Sequence, residues 1–295
     1  MSGRSGDPDG AATTLAIEAA GLAIGYPAET VVTGIDLAVR TGGSLALVGT
    51  NGSGKSTLLR TIAGLIRPQG GTLRVLGGPP GGAPRRVAWL AQTHATGFLL
   101  PLRSIDVVRM GRYPARGLLG RIGPDDEAIV RAAMETMGVG HLANAPLGSL
   151  SGGQRQRVHL AQVLAHRADL ILLDEPNAGL DAGGRERYLE AFSAELHRGA
   201  ALVTATHDIG EAIEYDRVLL LARRVVALGP GSEILTPDRL LETFGIVLRD
   251  PHPEHAGRFT VAEPSRGAPQ VRSEEHTSEL QSHHDLVCRL LLEKK

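Results

Sequence analysis

Short apolar runs, bounded by glycine-rich or polar turns, recur along most of the chain. They have the length of single strands, and several are continuous in Val, Ile, Leu and Ala, which is typical of strands buried on both faces. We predict strands at residues 15–22, 34–39, 45–48, 72–76, 87–90, 170–173, 201–206, 218–221 and 225–228. Residues 56–65 and 154–166 have the periodicity of helices. Strands that alternate with helices predict an α/β fold, with a mostly parallel sheet covered on both faces.

The alternation stops between residues 101 and 150, where the pattern becomes helical. We expect a helix at 105–110, capped by Ser104, and another at 127–137, whose first turn is preceded by acidic residues that favour a helix N-terminus. The helical stretch therefore predicts an inserted lobe at about residues 93–165.

The two ends of the chain differ from its body in composition. We predict a disordered leader at 1–14, a domain at 15–245 and a C-terminal extension or linker at 246–271. Residues 272–282 read RSEEHTSELQS, which resembles one translated frame of a sequencing-library adapter. We therefore predict that 272–295 is a non-native tail; the alternative is an ordinary polar tail with a short amphipathic end.

Charge and composition exclude several classes of protein. Lys and Arg number 31 against 32 Asp and Glu, so the chain has no general attraction to nucleic acid or to anionic membranes. No apolar run approaches the length of about 18 residues that a membrane span needs. Cys288 is the one cysteine, which excludes a disulfide framework or a zinc cluster within the chain. His252 and His255 straddle Pro253, so we interpret them as part of a solvated tail rather than a metal site.

A glycine-rich segment, GTNGSGKS at residues 49–56, follows a predicted buried strand and precedes a predicted helix. In that context it fits the phosphate-binding P-loop pattern better than a chance glycine-rich turn, because the loop and the helix N-terminus both present N–H groups to phosphate. Lys55 is expected to reach the β- and γ-phosphates and Ser56 to ligate Mg²⁺. The predicted ATP-binding residues of the loop are Gly49, Asn51, Gly52, Ser53, Gly54, Lys55, Ser56 and Thr57.

Two adjacent acids end the apolar run LILLDEP at residues 170–176. Ligands of parallel sheets bind at the carboxyl ends of the strands, where Asp174 would hold Mg²⁺ and Glu175 would act as general base for the attacking water. A strand that merely ends in two solvated acids is the alternative. The P-loop upstream favours the catalytic interpretation.

The segment LSGGQRQR at residues 150–157 resembles the signature motif of ATP-binding cassette (ABC) proteins. Ser151, Gly152, Gly153 and Gln154 lie at a predicted helix N-terminus, which can bind an anion; a capped helix with a Gly-Gly turn is the alternative. The resemblance covers about residues 15–245. It implies a P-loop NTPase core with a mostly parallel sheet, an N-terminal antiparallel β part and an inserted α-helical subdomain. It also implies a head-to-tail dimer, in which the signature residues face the γ-phosphate held by Lys55 of the partner subunit.

Three smaller elements match the same family in the same order. Gln92 resembles the Q-loop glutamine, which contacts Mg²⁺ and the attacking water. Asp181 ends the segment NAGLD, which resembles the D-loop, although its first residues differ from the commonest form. His207 resembles the switch histidine that contacts the γ-phosphate. Tyr26 is expected to stack on adenine, with packing in a hairpin as the alternative.

The resemblance implies the ATPase subunit of a transporter, using ATP and Mg²⁺ at the cytoplasmic face of the membrane. Its implied partners are a second copy of itself, membrane permease subunits that contact residues 92–112, and indirectly an extracytoplasmic substrate-binding protein, with no nucleic acid. Residues 106–113 and 217–230 resemble subunits of manganese, zinc or iron importers. Iron-siderophore and cobalamin importers share the first stretch in looser form.

Two other kinds of protein remain as alternatives. A soluble cassette ATPase that acts on DNA or ribosomes usually has tandem cassettes or a long coiled-coil insertion, and neither is present in the sequence. A regulatory nucleotide sensor without turnover would be expected to lack Glu175 or His207.

Overall fold

The structure is a computed structural model that describes residues 14–92, 102–117, 120–245, 247–249 and 260–262. The strands are β1 Leu15–Tyr26, β2 Glu29–Arg40, β3 Ser44–Val48, β4 Gly70–Val75, β5 Val87–Leu90, β6 Leu170–Asp174, β7 Ala201–Thr206, β8 Arg217–Leu221, β9 Val225–Gly229, β10 Val247–Arg249 and β11 Thr260–Ala262. The helices are α1 Lys55–Ile62, α2 Ser104–Met110, α3 Tyr113–Arg116, α4 Pro124–Thr136, α5 Gly152–His166, α6 Ala182–His197, α7 Ile209–Ala212, α8 Gly231–Ile234 and α9 Pro237–Phe244.

The central sheet of the described chain has the strand order β5-β6-β7-β3-β8-β9. All neighbouring pairs are parallel except β8 and β9, which form an antiparallel hairpin at one edge. The predicted mostly parallel sheet is therefore confirmed. Because β5, β6, β7 and β3 are adjacent and parallel, the residues that follow them lie at the same edge of the sheet.

Alternate residues of the central strands point into two separate hydrophobic clusters. In β3, Ala46 and Val48 lie in a cluster with α4, α5 and α6, whereas Leu45 and Leu47 lie in a cluster with α1 and the second sheet. Both faces of the sheet are covered in this way, which explains why β3, β6 and β7 are buried throughout.

The second sheet is antiparallel, in the order β2-β1-β4, and it confirms the predicted N-terminal antiparallel part. Its strands β1 and β2 are longer than the predicted 15–22 and 34–39, and they meet at a two-residue turn after Tyr26. The register shifts between Ala19 and Leu22 and again near Ile24. Such bulges let pairing continue past residues that break the strand alternation, so the predicted ends of these two strands were wrong.

Helices α2, α3 and α4 lie in the chain between β5 and β6, where we predict the insertion, and α2 and α4 pack against α5. The limits of this lobe as a subdomain stay a prediction. The prediction of Ser104 as the cap of α2 was wrong, since Arg103 occupies the N-cap position. The buried Ser104 hydroxyl donates instead to the carbonyl of Ala145, 3.2 Å away. A tertiary contact has replaced the local one.

Several predictions fall outside the described residues: the leader apart from Thr14, the tail at 272–295, Cys288, His252 and His255. Only two short strands of the predicted extension are described. Within the described residues, none of the helices combines the length and apolar character that crossing a bilayer requires.

A buried carboxylate joins three helices of the helical region. Asp126 in α4 is fully buried and pairs with Arg112, at 3.0 Å, and with Arg116 of α3, at 2.7 Å. Arg112 also donates to the carbonyls of Ala165 and His166, the last residues of α5. Hydrogen bonding to Arg116, supported by Gly123 and Arg112, lowers the pKa of Asp126 to about 2 although burial acts to raise it.

We expect Asp126→Asn to lower the free energy of unfolding by about 3 kcal/mol at neutral pH, because it leaves the buried Arg112 charge without its anionic partner. The folded pKa of Asp126 is depressed, so this contribution is complete above the ordinary aspartate pKa of about 4 and is lost as pH falls towards 2. Urea unfolding of wild type and variant across that range measures the difference. Asp125→Asn, at the exposed neighbouring position, is the control, and an equal loss there would contradict the assignment.

Candidate functional site

The glycine-rich loop joins β3 directly to α1. A Cβ atom added at Gly49 would lie 2.1 Å from the carbonyl oxygen of Leu221, so the loop backbone passes too close to β8 for any side chain. Gly54 has a φ of 113° and is the N-cap residue of α1, with no side chain to cap the helix. The N-cap residue therefore offers no side-chain acceptor to the N–H groups of the first turn, which is compatible with the predicted phosphate site.

Lys55 lies over this loop with its ammonium nearly buried. Its Nζ donates to the carbonyls of Gly49, at 2.6 Å, and Thr50, at 3.0 Å. Ser53 is also buried, and its Oγ has no hydrogen-bond partner among the described residues. The Lys55 ammonium, the Ser53 hydroxyl and the N-terminus of α1 supply the positive charge and the hydrogen-bond donors that a polyphosphate needs.

The other predicted residues of the loop lie next to Lys55 and Ser53 in the chain. Asn51 is exposed before the helix, while Ser56 and Thr57 belong to the first turn of α1. Helix α1 packs against β6 and β7, the two strands that end beside the loop.

The candidate catalytic residues follow adjacent parallel strands. Gln92 comes two residues after β5, Asp174 ends β6, and His207 comes directly after β7. The Gln92 amide Nε2 donates to Glu175 Oε2 at 2.8 Å. The structure thus brings together two residues that are 83 positions apart in the chain and that the sequence proposes for the same reaction.

Glu175 has an unusual backbone conformation. Its φ is +51°, in the left-handed region that residues other than glycine rarely adopt. Its N–H continues the ladder between β6 and β7 by donating to the carbonyl of Ala205, at 2.9 Å. Such a conformation costs about 1–3 kcal/mol and occurs preferentially at functional sites. This backbone strain is expected if the Glu175 side chain must leave the orientation that a regular continuation of β6 would give it.

A magnesium ion would find few protein ligands here. Among the described residues, no three His, Cys, Asp or Glu side chains are grouped so that they could hold a metal. Mg²⁺ bound with a nucleotide, however, usually takes only one or two carboxylates, with phosphates and water as the other ligands. Buried Asp174, the Ser56 hydroxyl on the helix packed against β6, and the Gln92 amide are a donor set of this kind.

The signature segment forms the N-terminus of α5. Ser151 Oγ accepts the backbone N–H of Gln154, at 3.2 Å, and Gln154 Oε1 accepts the backbone N–H of Ser151, at 2.9 Å. This capping box starts the helix at Gly152, two residues before the predicted start at 154. It occupies the N–H of Gln154 and leaves those of Gly152 and Gly153, together with the Ser151 hydroxyl proton, as the donors for an anion.

The two signature glycines have different surroundings. A Cβ at Gly152 would meet nothing within 4 Å, whereas a Cβ at Gly153 would lie 2.5 Å from the carbonyl oxygen of Gly179. Gln156 adds a hydrogen bond from its Nε2 to the carbonyl of Pro176, at 2.8 Å. The signature helix is therefore held against the segment that follows Glu175 in the same chain. Gln156 lies within the signature string itself, but the motif alone did not mark it as a contact residue.

Asp181, the aspartate of the D-loop, has a structural role as a helix cap. Asp181 is the N-cap residue of α6, and its Oδ1 accepts the N–H of Gly184 at 2.8 Å. Contacts of this residue with a second subunit stay a prediction.

Tyr26 lies at the end of β1 with 42% of its surface exposed. Its hydroxyl accepts a hydrogen bond from Arg60 of α1, at 2.9 Å, and its carbonyl accepts one from Gln69. The ring is thus held beside the helix that follows the P-loop and is left open to solvent. Stacking on adenine stays a prediction that this exposure favours over packing inside the hairpin.

Comparisons with known proteins give consistent results. Residues 32–178 match the family model described as ABC transporter. The zinc transport system ATP-binding protein TroB of Treponema pallidum is 37% identical over 235 residues, which cover 79% of this chain and 88% of that protein. The hemin import ATP-binding protein HmuV of Nocardia farcinica is 42% identical over 225 residues, covering 74% and 77%. A metal-chelate type ABC transporter solved in an inward-facing conformation is 26% identical, with a TM-score of 0.69, covering 84% of this chain and 96% of that one.

Proposed function

The chain belongs to the ABC transporter family, and on this basis we propose that it is the ATP-hydrolysing subunit of an importer for a metal ion. The observation that carries the proposal is the edge of the central sheet, where the P-loop, Asp174, Glu175, Gln92 and His207 follow adjacent strands. A family member that only sensed nucleotide would not need a general base there.

Each residue at this edge has a proposed task in hydrolysis. The Glu175 carboxylate takes the proton of the attacking water, and its hydrogen bond with Gln92 orients it. Lys55 and the N–H groups of the loop and α1 stabilise the charge that develops on the phosphate oxygens. His207 contacts the terminal phosphate from the end of β7. Ser56, Asp174 and Gln92 would hold Mg²⁺, which when bound neutralises phosphate charge.

The site is completed by a second copy of the chain. The signature segment offers a second anion-binding surface, with free space beside Gly152 and with the N–H groups of Gly152 and Gly153, which take no part in the capping box. In a two-fold dimer, Ser151 and the N–H groups of Gly152 and Gly153 would face the γ-phosphate held by Lys55 of the partner subunit. Closure of the dimer would then depend on ATP, and hydrolysis would release it.

Membrane subunits are the proposed partners of a second surface of the chain, formed by β5, α2 and α5. A surface cavity of about 200 Å³ lies between β5, α2 and α5, lined by Trp89, Met110 and Gln162 among others. Met110 and Tyr113 are exposed beside it, with 38% and 50% of their surface accessible. This surface includes part of the segment 92–112 that we expect to contact a permease. The chain would then act at the cytoplasmic face of a membrane, with an extracytoplasmic binding protein as an indirect partner and no role for nucleic acid.

The proposed cargo is manganese, zinc or iron as an ion, by analogy with relatives such as the zinc protein of Treponema pallidum. A metal chelate is the second candidate, favoured by the 42% identity to a hemin-import protein and by the metal-chelate type structure. Iron-siderophore and cobalamin import fall within this second class.

Reconstitution with the cognate membrane subunits tests the proposal. We expect Mg²⁺-dependent ATP hydrolysis and ATP-driven uptake of at least one of the ions, both lost when Mg²⁺ is omitted. Uptake of hemin without uptake of any ion would reverse the order of the two candidates. Hydrolysis by a complex with DNA or ribosomes, with no membrane subunit recovered in a pull-down, would contradict the proposed function.

A further inference from the structure

A buried carboxylate that has no part in the proposed chemistry lies directly behind the site. Glu211 in α7 is 1% exposed. Its Oε1 accepts hydrogen bonds from the hydroxyls of Tyr188, at 3.0 Å, and Tyr215, at 3.2 Å. Its Oε2 accepts from Asn177 Nδ2, at 2.6 Å, and from Thr206 Oγ1, at 3.0 Å. A glutamate with four donors around two oxygens is fully satisfied as a hydrogen-bond acceptor.

The two oxygens of Glu211 contact different parts of the molecule. Tyr188 is completely buried in α6 and packs against Phe192, and Tyr215 is also buried, so Oε1 is anchored in the core. Asn177 lies two residues after Glu175, and Thr206 lies immediately before His207. Oε2 therefore joins the segment that leaves the proposed general base to the segment that enters the proposed switch histidine.

The hydrogen-bond directions at Thr206 support this arrangement. Thr206 Oγ1 accepts the backbone N–H of Asp208, at 3.1 Å, so its single proton is directed to Glu211. Asp208 in turn accepts the N–H of Glu211, at 3.1 Å, and pairs with Arg185, at 2.6 Å. Residues 206–211 thus form a closed set of bonds around His207. Burial raises the pKa of Glu211, and its donors act in the opposite direction.

We propose that Glu211 is a positioning residue, which holds Asn177 and Thr206 together and so sets the geometry of Glu175 relative to His207. The inference rests on the proposed function of those two residues. The contact with the D-loop is direct, since the amide of Asn177, the first residue of the segment NAGLD, makes the 2.6 Å bond to Glu211.

Asn177→Ala tests the positioning of Glu175 with little effect on the stability of the fold. Asn177 Oδ1 is buried without a hydrogen-bond partner in the described part of the chain, so truncation removes one satisfied and one unsatisfied group. We expect little change in thermal stability. Loss of the tether should lower kcat for ATP about 10- to 100-fold, as small misplacements of catalytic groups do. KM for ATP should stay within about twofold, because the P-loop is untouched.

Variants of Glu211 and a matched control complete the test. Glu211→Ala should lower both kcat and thermal stability, because it also leaves the two tyrosines without their acceptor. Glu211→Gln should restore most of the loss in kcat, since its amide oxygen can accept from Asn177 and Thr206 while its NH₂ donates to the tyrosine oxygens. Leu240→Ala, in buried surroundings on α9, should lower stability without changing kcat.

A double-mutant cycle and amide hydrogen exchange give the decisive outcomes. If Glu211 acts through Asn177, the double alanine variant should have the kcat of Glu211→Ala alone; multiplied effects would overturn the proposal. Exchange should accelerate at residues 177–184 and 206–212 in Asn177→Ala and not in Leu240→Ala. This exchange needs no turnover. If wild type failed to hydrolyse ATP, the proposed function would fail, while unchanged exchange in Asn177→Ala would overturn the positioning role separately.

Discussion

Glu175→Gln is expected to lower ATP turnover by about 10²- to 10⁴-fold while ATP binding stays intact, because an amide cannot accept the proton of the attacking water. The substitution preserves the shape of the site. A glutamine oxygen can still accept the 2.8 Å bond from Gln92, and the bonds of residue 175 with the β7 backbone do not involve its side chain. Any loss therefore reports on proton transfer rather than on folding.

Turnover is measured as phosphate release under saturating ATP. Binding is measured separately, as the affinity for ATP at equilibrium. Glu190→Gln, at an exposed position on α6, makes the same chemical change away from the site and should leave both quantities unchanged. Turnover by Glu175→Gln within tenfold of wild type would show that another group accepts the proton.

Ser151→Arg is expected to abolish turnover, by about 10²-fold or more, while one subunit still binds ATP normally. The arginine removes the Oγ that accepts the Gln154 N–H at the start of α5, and it fills the space beside Gly152. It leaves the P-loop and Tyr26 of the same chain unchanged. Loss of turnover with retained binding is therefore the result expected of a site that two copies of the chain build together.

Binding of a fluorescent ATP analogue and steady-state turnover test this prediction. Ser193→Arg on the exposed side of α6 is the control for adding the same side chain. Wild-type turnover by Ser151→Arg would contradict the composite site.

Mixing two inactive variants distinguishes a site shared between subunits from one within a subunit. In a mixed dimer of Lys55→Ala with Ser151→Arg, a shared arrangement places both lesions in one site and leaves the other intact. Random mixing should then recover up to about a quarter of wild-type sites. If each site were built from one chain, every site would carry a lesion and none would recover.

The local patterns of the sequence predicted the elements that hold the site. The apolar runs that became β3, β6 and β7 were recognised because these strands are buried on both faces and consist mainly of apolar residues. The errors arose where tertiary contacts override local signals. Ser104 bonds to Ala145 instead of capping α2, and bulges extend β1 and β2 through residues that resemble a turn.

By itself, the sequence determined the order of the motifs and the strand that precedes each of them, because a P-loop or a signature segment is a run of neighbouring residues whose spacing is its own signal. Only the tertiary structure decided which distant residues meet. Gln92 reaches Glu175 because β5 and β6 are neighbours in the sheet. Glu211 accepts hydrogen bonds from side chains of α6, the D-loop and β7. The partners of a buried carboxylate depend on how these elements pack, and no local pattern of residues carries that information.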